Sequence, residues 1–214
     1  MKVQLKQIEE RVKSFLELNS VTLPSSVIKK PRAVAEAFES LLLDNFESIL
    51  GDLGTNCKPS VTAKATADVS YIDSSGKHIA VDIKTHCMGK WGMPNLISYK
   101  KLAKLYDDDD NVFVVLLIDY KITGNCARIV DVIFTPIENL SWDCLAIQGT
   151  LGQVQIKNAE KIVMNDIDRD AWMTEFCSQA AYGIETKMSS LALELQLFEA
   201  LYRHWEEKAC ISSE

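Results

Sequence analysis

Apolar residues recur at helical spacing through the first fifty positions of the chain. Over residues 2–19 they lie three or four positions apart, which predicts an amphipathic helix. A second stripe covers residues 31–50, where Pro31 suits the first helical turn and Gly51 suits the end of the helix. The sequence therefore predicts two helices before any strand.

The middle of the chain changes to the alternation and the β-branched composition of strands. Two strand-like stretches, 62–72 and 78–84, flank the turn-forming segment 73–77, a pattern typical of a β-hairpin. Residues 94–106 return to helical spacing. Residues 111–120 are apolar almost throughout, as expected of a strand that is buried on both faces.

The last third of the chain predicts a strand at 127–134, one or two strands within 145–156, and one or two long helices over 169–208, with Gly183 as a candidate break. A hairpin followed by a helix and then a buried strand implies a mixed sheet with helices packed on it. The predicted fold class is therefore α/β, a mixed β-sheet flanked by α-helices.

Composition narrows the class of protein. The chain has 214 residues, of which 47% are hydrophobic and 25% charged, as in an ordinary soluble domain. The longest apolar run, Val112–Ile118, is far shorter than the roughly 20 residues of a membrane span, and the N-terminus has no signal core. We expect a cytoplasmic protein.

The six cysteines are scattered without a CxxC pair, which argues against a zinc site or a disulfide framework.

Charge is unevenly distributed along the chain. The net charge of −7 by itself argues against a nucleic-acid-binding protein. The segment 83–106, however, carries five lysines and no acidic residue. Charge alone favours a solvated helix face, but such a segment can also mark a surface that faces phosphates.

The predicted hairpin brings charged residues together. Opposite residues of a symmetric hairpin centred on Ser75 have numbers that sum to 150, so Asp68 and Asp82 face each other. Lys84 lies two residues beyond Asp82 and therefore on the same face. Like charges at opposite positions destabilise a sheet, and a divalent cation such as Mg²⁺ would resolve the conflict. Two acids, a lysine and a metal ion suffice for phosphodiester hydrolysis. From spacing alone, two strand-end acids and a surface salt bridge remain the commoner explanation.

Short motifs around these residues resemble a known family. The stretch Thr66-Ala67-Asp68-Val69, followed by Ile79-Ala80-Val81-Asp82-Ile83-Lys84-Thr85, resembles the signature of the PD-(D/E)xK nucleases, in particular type II restriction endonucleases of the HincII and EcoRV kind. Thr66-Ala67 departs from this signature, which often has a proline before the first acid. Four other segments resemble later or earlier parts of such enzymes: Glu36-Ala37-Phe38-Glu39, Pro94–Ser98 with Lys101-Leu102-Ala103, 153–156, and 169–172 with its long helix.

The resemblance implies a Mg²⁺-dependent endonuclease that hydrolyses double-stranded DNA at a specific, palindromic site and leaves blunt ends. Asp68 and Asp82 would be metal ligands, and Lys84 would position the attacking water and stabilise the transition state. Glu39, or less readily Glu36, would supply a further acid; a solvated helix carboxylate is the alternative. The chain 1–214 would form one restriction-endonuclease-like domain, with a catalytic core at about 31–135. Residues 145–214 would then contact DNA and form a helical packing or dimer region.

The same resemblance implies a homodimer and a set of DNA contacts. Candidates for phosphate contacts are Thr85, Lys90, Lys100, Lys101 and Lys104. Candidates for base contacts are Asn95 first, then Gln153 and Gln155, and Trp91 and Met93 are candidates for an apolar wedge.

Two alternatives remain open from the sequence. One is another PD-(D/E)xK nuclease, such as a junction or repair nuclease that recognises the shape of DNA. The other is a non-catalytic DNA-binding protein that keeps a nuclease-like hairpin. A restriction enzyme would also imply a cognate DNA methyltransferase in the cell, although not as a physical partner.

Overall fold

A computed structural model describes residues 2–60, 66–90, 92–149 and 152–211. It contains four α-helices, which are α1 (Lys2–Leu18), α2 (Pro31–Leu50), α3 (Tyr99–Leu105) and α4 (Arg169–Ile211). The first two match the predicted helices closely. The last is one continuous helix rather than two, since Gly183 does not interrupt it.

Within these ranges, nine strands form two sheets. They are β1 (Val21–Thr22), β2 (Gly54–Pro59), β3 (Val69–Asp73), β4 (His78–Cys87), β5 (Asn95–Ser98), β6 (Asn111–Thr123), β7 (Cys126–Pro136), β8 (Leu145–Gln148) and β9 (Gln153–Ile156). The main sheet has the order β1-β7-β6-β4-β3-β2, and the second has the order β5-β9-β8. Only the pair β4–β6 is parallel among the described strands. The predicted class, a mixed α/β fold with flanking helices, is confirmed.

Several local predictions differ from the structure. Strand β1 lies between α1 and α2, where the sequence predicted no strand. Strand β3 begins at Val69 rather than at residue 62, and 61–65 lie outside the described residues. Residues 95–98 form strand β5 instead of the start of a helix, because Leu96 and Ile97 are buried and the segment pairs with β9. Helical spacing and a strand with two buried residues cannot be distinguished over so short a stretch. Strand β2 was not predicted; Gly54 lets it approach the ring of Tyr71, which would lie 2.6 Å from an added Cβ atom.

The main sheet is covered on both faces. On one face α1 and α2 pack against alternate residues of β6 such as Val114 and Leu116. On the other face Phe113 and Leu117 pack against the second sheet and the start of α4, including Trp172 and Phe176. The prediction that β6 is buried on both faces is therefore confirmed.

None of the helices within the described ranges is both long and apolar enough to cross a membrane.

A partly buried ionic network fixes the start of α4. The guanidinium of Arg169 donates to Oε1 of Glu138 through Nε (3.1 Å) and Nη2 (2.9 Å). The hydroxyl of Tyr106 donates to Oε2 of the same carboxylate at 2.6 Å, and Arg169 also lies 4.7 Å from the centre of the Tyr106 ring. Because Glu138 is buried, this network ties α3 and the segment after β7 to the base of α4.

We expect Glu138→Ala to destabilise the protein by about 2 kcal/mol, because the change leaves the half-buried guanidinium of Arg169 and the half-buried hydroxyl of Tyr106 without their buried carboxylate partner. Asp131→Ala is the matched control: its ion pair with Lys13 has a similar length, 2.9 Å, but its side chain is 57% exposed, so the loss should stay below about 1 kcal/mol. Urea unfolding measures both values. Similar losses for the two variants would contradict the assignment of a stabilising network to Glu138.

Candidate active site

The β3–β4 hairpin has the register that the sequence predicts. Val69 pairs with Val81, and the ladder continues to Ile72 and His78, so opposite numbers sum to 150. Strand β3 begins at Val69, so Asp68 lies immediately before it. The amide of Asp68 donates to the carbonyl of Val81 at 2.9 Å, which keeps the residue beside β4.

The carboxylate of Asp68 accepts the backbone hydrogen bond that a residue of β3 would otherwise accept from β4. Beyond Val81, none of the described strands pairs with the side of β4 that faces β3, although β4 stays paired with β6 along its whole length. The Oδ2 atom of Asp68 accepts a hydrogen bond from the amide of Ile83 at 2.6 Å. The end of β3 therefore leaves a gap in the sheet, and the first predicted acid lies in it.

Asp82 and Lys84 form a partly buried ion pair beside this gap. The Lys84 ammonium lies 2.8 Å from Oδ1 of Asp82 and 3.2 Å from the carbonyl oxygen of Ile83. Only 8% of the Asp82 side chain is exposed, and its Oδ2 atom is buried without a hydrogen-bond partner among the described residues. Burial raises the pKa of Asp82 to about 7; the Lys84 charge opposes this rise, and the charges of Asp68 and Glu39 add to it.

Glu39 lies in the electrostatic field of the same group. Burial raises the pKa of Glu39, the charge of Asp68 raises it further, and Lys84 opposes the change. Glu36, the alternative third acid, instead pairs with Arg32 at 2.9 Å on the exposed side of α2. The structure therefore brings Glu39, and not Glu36, into electrostatic contact with the hairpin acids.

The donor atoms at this site suit a small, hard cation. Among the described residues, no group of three or more His, Cys, Asp and Glu side chains could hold a metal ion, so Glu39 does not complete a carboxylate cage. What the site offers is the unpartnered Oδ2 of Asp82, the carboxylate of Asp68 and the carbonyl of Ile83. Mg²⁺ uses one or two carboxylates and retains several waters, which fits this oxygen set.

His86, two residues beyond Lys84 on β4, holds the loop that follows the strand. His86 is buried; its Nδ1 lies 3.0 Å from the Asp119 carboxylate and its Nε2 lies 2.8 Å from the carbonyl of Lys90. Both ring nitrogens are therefore occupied, which leaves the imidazole a positioning role. Sequence analysis did not identify Asp119, because its pairing with His86 depends on the parallel register between β4 and β6.

The candidate DNA contacts fall into three groups. Thr85 is half-buried in β4, next to the ion pair, and Lys90 is exposed in the following loop. Three lysines are exposed on α3: Lys100, Lys101 and Lys104. The third group, Asn95, Gln153 and Gln155, lies in the second sheet.

In the second sheet, Asn95 is exposed and pairs with Gln155 across β5 and β9. Asn95 begins a strand, which corrects its predicted place at a loop-to-helix junction. Gln155 is buried in the central strand, and its amide donates to the carbonyl of Met93 at 3.0 Å, so it supports the loop before Asn95. Gln153 is half-buried. Trp91 lies outside the described residues.

No protein-family model matches the sequence, and no curated protein shows significant similarity to it.

A buried carboxylate with one unpartnered oxygen lowers the stability of the protein in the absence of metal. The folded protein holds the Asp82 proton more tightly than the unfolded chain, because the pKa rises from 3.8 to about 7. Stability is therefore lost as the pH rises through this interval, and it stays low above it. We expect Asp82→Asn to raise the stability of the metal-free protein at pH 8 by about 2 kcal/mol.

The gain should be smaller at pH 5 than at pH 8, and thermal unfolding in a chelating buffer measures it. Asp107→Asn, at an exposed position, is the control and should show no such dependence. A destabilised Asp82→Asn protein at pH 8 would contradict this description of the site.

Proposed function

We propose that the protein is a Mg²⁺-dependent endonuclease of the type II restriction class, acting on double-stranded DNA. The observation that carries the proposal is the Asp82–Lys84 pair: a buried carboxylate with one oxygen on an ammonium and the other oxygen unpartnered, next to Asp68. In structural salt bridges, the large majority of buried carboxylate oxygens accept a hydrogen bond. An unsatisfied carboxylate of raised pKa is characteristic of a functional site.

The residues divide the work of phosphodiester hydrolysis among them. Asp82 and Asp68 provide the oxygen atoms that would hold Mg²⁺, which when bound lowers the pKa of a coordinated water and offsets charge on phosphate. The Lys84 ammonium lies between Oδ1 of Asp82 and the Ile83 carbonyl, where it can orient a water and stabilise charge that develops on the phosphorus oxygens. Glu39 adds negative charge from α2 and orients a second water.

The exposed lysines supply the surface that would contact DNA. Lys90 follows the strand that carries Asp82 and Lys84, and α3 adds Lys100, Lys101 and Lys104. Because the rest of the chain carries the excess of acidic residues, phosphate binding would concentrate here. Asn95, at the start of β5, is exposed and is our first candidate for reading a base edge. A palindromic site would be cut by a twofold dimer with one active site for each strand.

Digestion of a long viral DNA with Mg²⁺ tests the reaction. The wild type should give discrete fragments, and sequencing of their ends should reveal one shared site. Asp82→Asn and Lys84→Ala should each reduce the cleavage rate by at least roughly 10³-fold, because they remove a metal ligand and a transition-state contact. Both variants should still bind the DNA.

Lys121→Ala is the matched control for Lys84→Ala, since Lys121 is an exposed lysine on β6, four residues beyond the position that pairs with Lys84, and it should cut like the wild type. A wild type that cuts none of many DNAs with Mg²⁺, or a Lys84→Ala protein with full activity, would overturn the proposal. Cleavage of branched DNA alone would replace sequence-specific restriction with the structure-selective alternative.

The contribution of the α3 lysines is measured separately by the salt dependence of binding. Replacing Lys100, Lys101 and Lys104 with glutamine should weaken binding and reduce the slope of log K against log salt by about 3, since each phosphate contact releases nearly one counterion. The pair Lys6→Gln and Lys13→Gln, on α1, is the control and should leave the slope unchanged. An unchanged slope in the α3 variant would remove this helix from the DNA-binding surface.

A further inference from the structure

The outer part of α4 extends beyond the body of the protein. Trp172 and Phe176 are buried at its base, and the last close approach is at Gly183, whose carbonyl oxygen would lie 2.9 Å from a Cβ atom added to Gly149. From Ile184 to Lys208 every residue is exposed. This outer segment is roughly 37 Å long at 1.5 Å per residue.

The outer segment is apolar along one side. Seven of its exposed apolar residues follow one another in steps of four and three, which is the spacing of a heptad repeat. They are Ile184, Met188, Leu191, Leu195, Phe198, Tyr202 and Trp205, with 41% to 64% of each exposed. We call these seven residues the α4 stripe. An isolated helix is marginally stable in water, so an apolar stripe of this length calls for a partner.

We propose that the α4 stripe is a self-association surface that pairs with the same helix of a second copy of this chain, in antiparallel orientation. A heptad repeat sustained over three heptads is the pattern of a coiled coil, and a repeated stripe is self-complementary about a twofold axis. The proposal does not rest on the proposed nuclease function.

The area of the stripe is sufficient for a dimer. Each of the seven side chains leaves roughly 100 Å² accessible, given their size and exposed fraction. Covering the stripe on two copies therefore buries about 1,400 Å², which exceeds the roughly 1,000 Å² expected of a specific interface.

The charge of the outer segment argues against two other partners, DNA and an anionic membrane. The segment 184–208 carries five acidic and three basic residues, which opposes binding to DNA or to an anionic membrane.

The residues beside the stripe favour the antiparallel orientation. If Met188 lies opposite the partner's Leu191, Lys187 lies beside the partner's Glu194, and symmetry gives this contact twice. The parallel, in-register pair would instead place Glu194 beside the partner's Glu199, which are like charges.

Sedimentation equilibrium of the full chain without DNA tests the proposal. The wild type should be a dimer at micromolar concentration, and the double variant Leu191→Glu, Leu195→Glu should raise the dissociation constant by at least roughly 100-fold. The matched control is Leu193→Glu, Leu197→Glu, which changes two leucines of similar exposure outside the stripe and should remain a dimer. A monomeric wild type, or equal weakening by both double variants, would overturn the proposal.

A charge variant tests the pairing without introducing acidic residues into the stripe. Glu194→Lys should weaken the antiparallel dimer several-fold, because it places two lysines together, and adding Lys187→Glu should restore it. A tighter Glu194→Lys dimer would overturn the antiparallel orientation. Because none of these variants lies near Asp82 or Lys84 in the sequence, DNA cleavage assays of the wild type remain a separate test of the nuclease proposal.

Discussion

The candidate site depends on the position at which strand β3 begins. Strand β3 begins at Val69, while β4 continues six residues beyond its last β3 partner, Val81. The amide of Ile83 has no partner in β3, and it donates instead to the Asp68 carboxylate. This hydrogen bond fixes one acid beside a second, Asp82, and the low dielectric of the sheet interior makes that proximity unfavourable. The raised pKa of Asp82 and the position of the Lys84 ammonium both follow from this constraint.

The surrounding fold makes this constraint tolerable. Strand β4 stays hydrogen-bonded to β6 along its full length. This pairing keeps Asp82 in the sheet although its burial next to Asp68 is unfavourable. Helix α2 packs its apolar stripe on the opposite face of the sheet and carries Glu39 at the edge of that packing. Beyond the ion pair, His86 attaches the following loop to β6 through Asp119. Strain of this kind, held in place by well-packed neighbours, is typical of functional sites.

The sequence allowed the fold class, both N-terminal helices, the central strand β6 and the hairpin register to be predicted, because each has a long or strongly punctuated local signal. It failed at β5, where Leu96 and Ile97 are buried by a partner strand sixty residues away. It also could not identify the partner of His86, or distinguish Glu39 from Glu36 by more than resemblance. The pairing of β5, the partner of His86 and the choice between Glu39 and Glu36 all depend on which elements lie side by side. The short-range sequence pattern carries little information about such neighbours. The catalytic roles of Asp68, Asp82 and Lys84 stay predictions.

The β3–β4 hairpin and the outer segment of α4 pose opposite physical problems. At the hairpin, charged groups are buried without enough partners, and a cation with its waters is the kind of ligand that resolves the conflict. On outer α4, apolar groups are exposed without a cover, and a second apolar helix resolves that one. The Arg169–Glu138–Tyr106 network connects them, because it fixes the base of α4 to the elements that flank β6, the strand paired with β4. A dimer formed through α4 would therefore hold its two hairpin sites at a defined separation, which is what a reaction on both strands of a duplex requires.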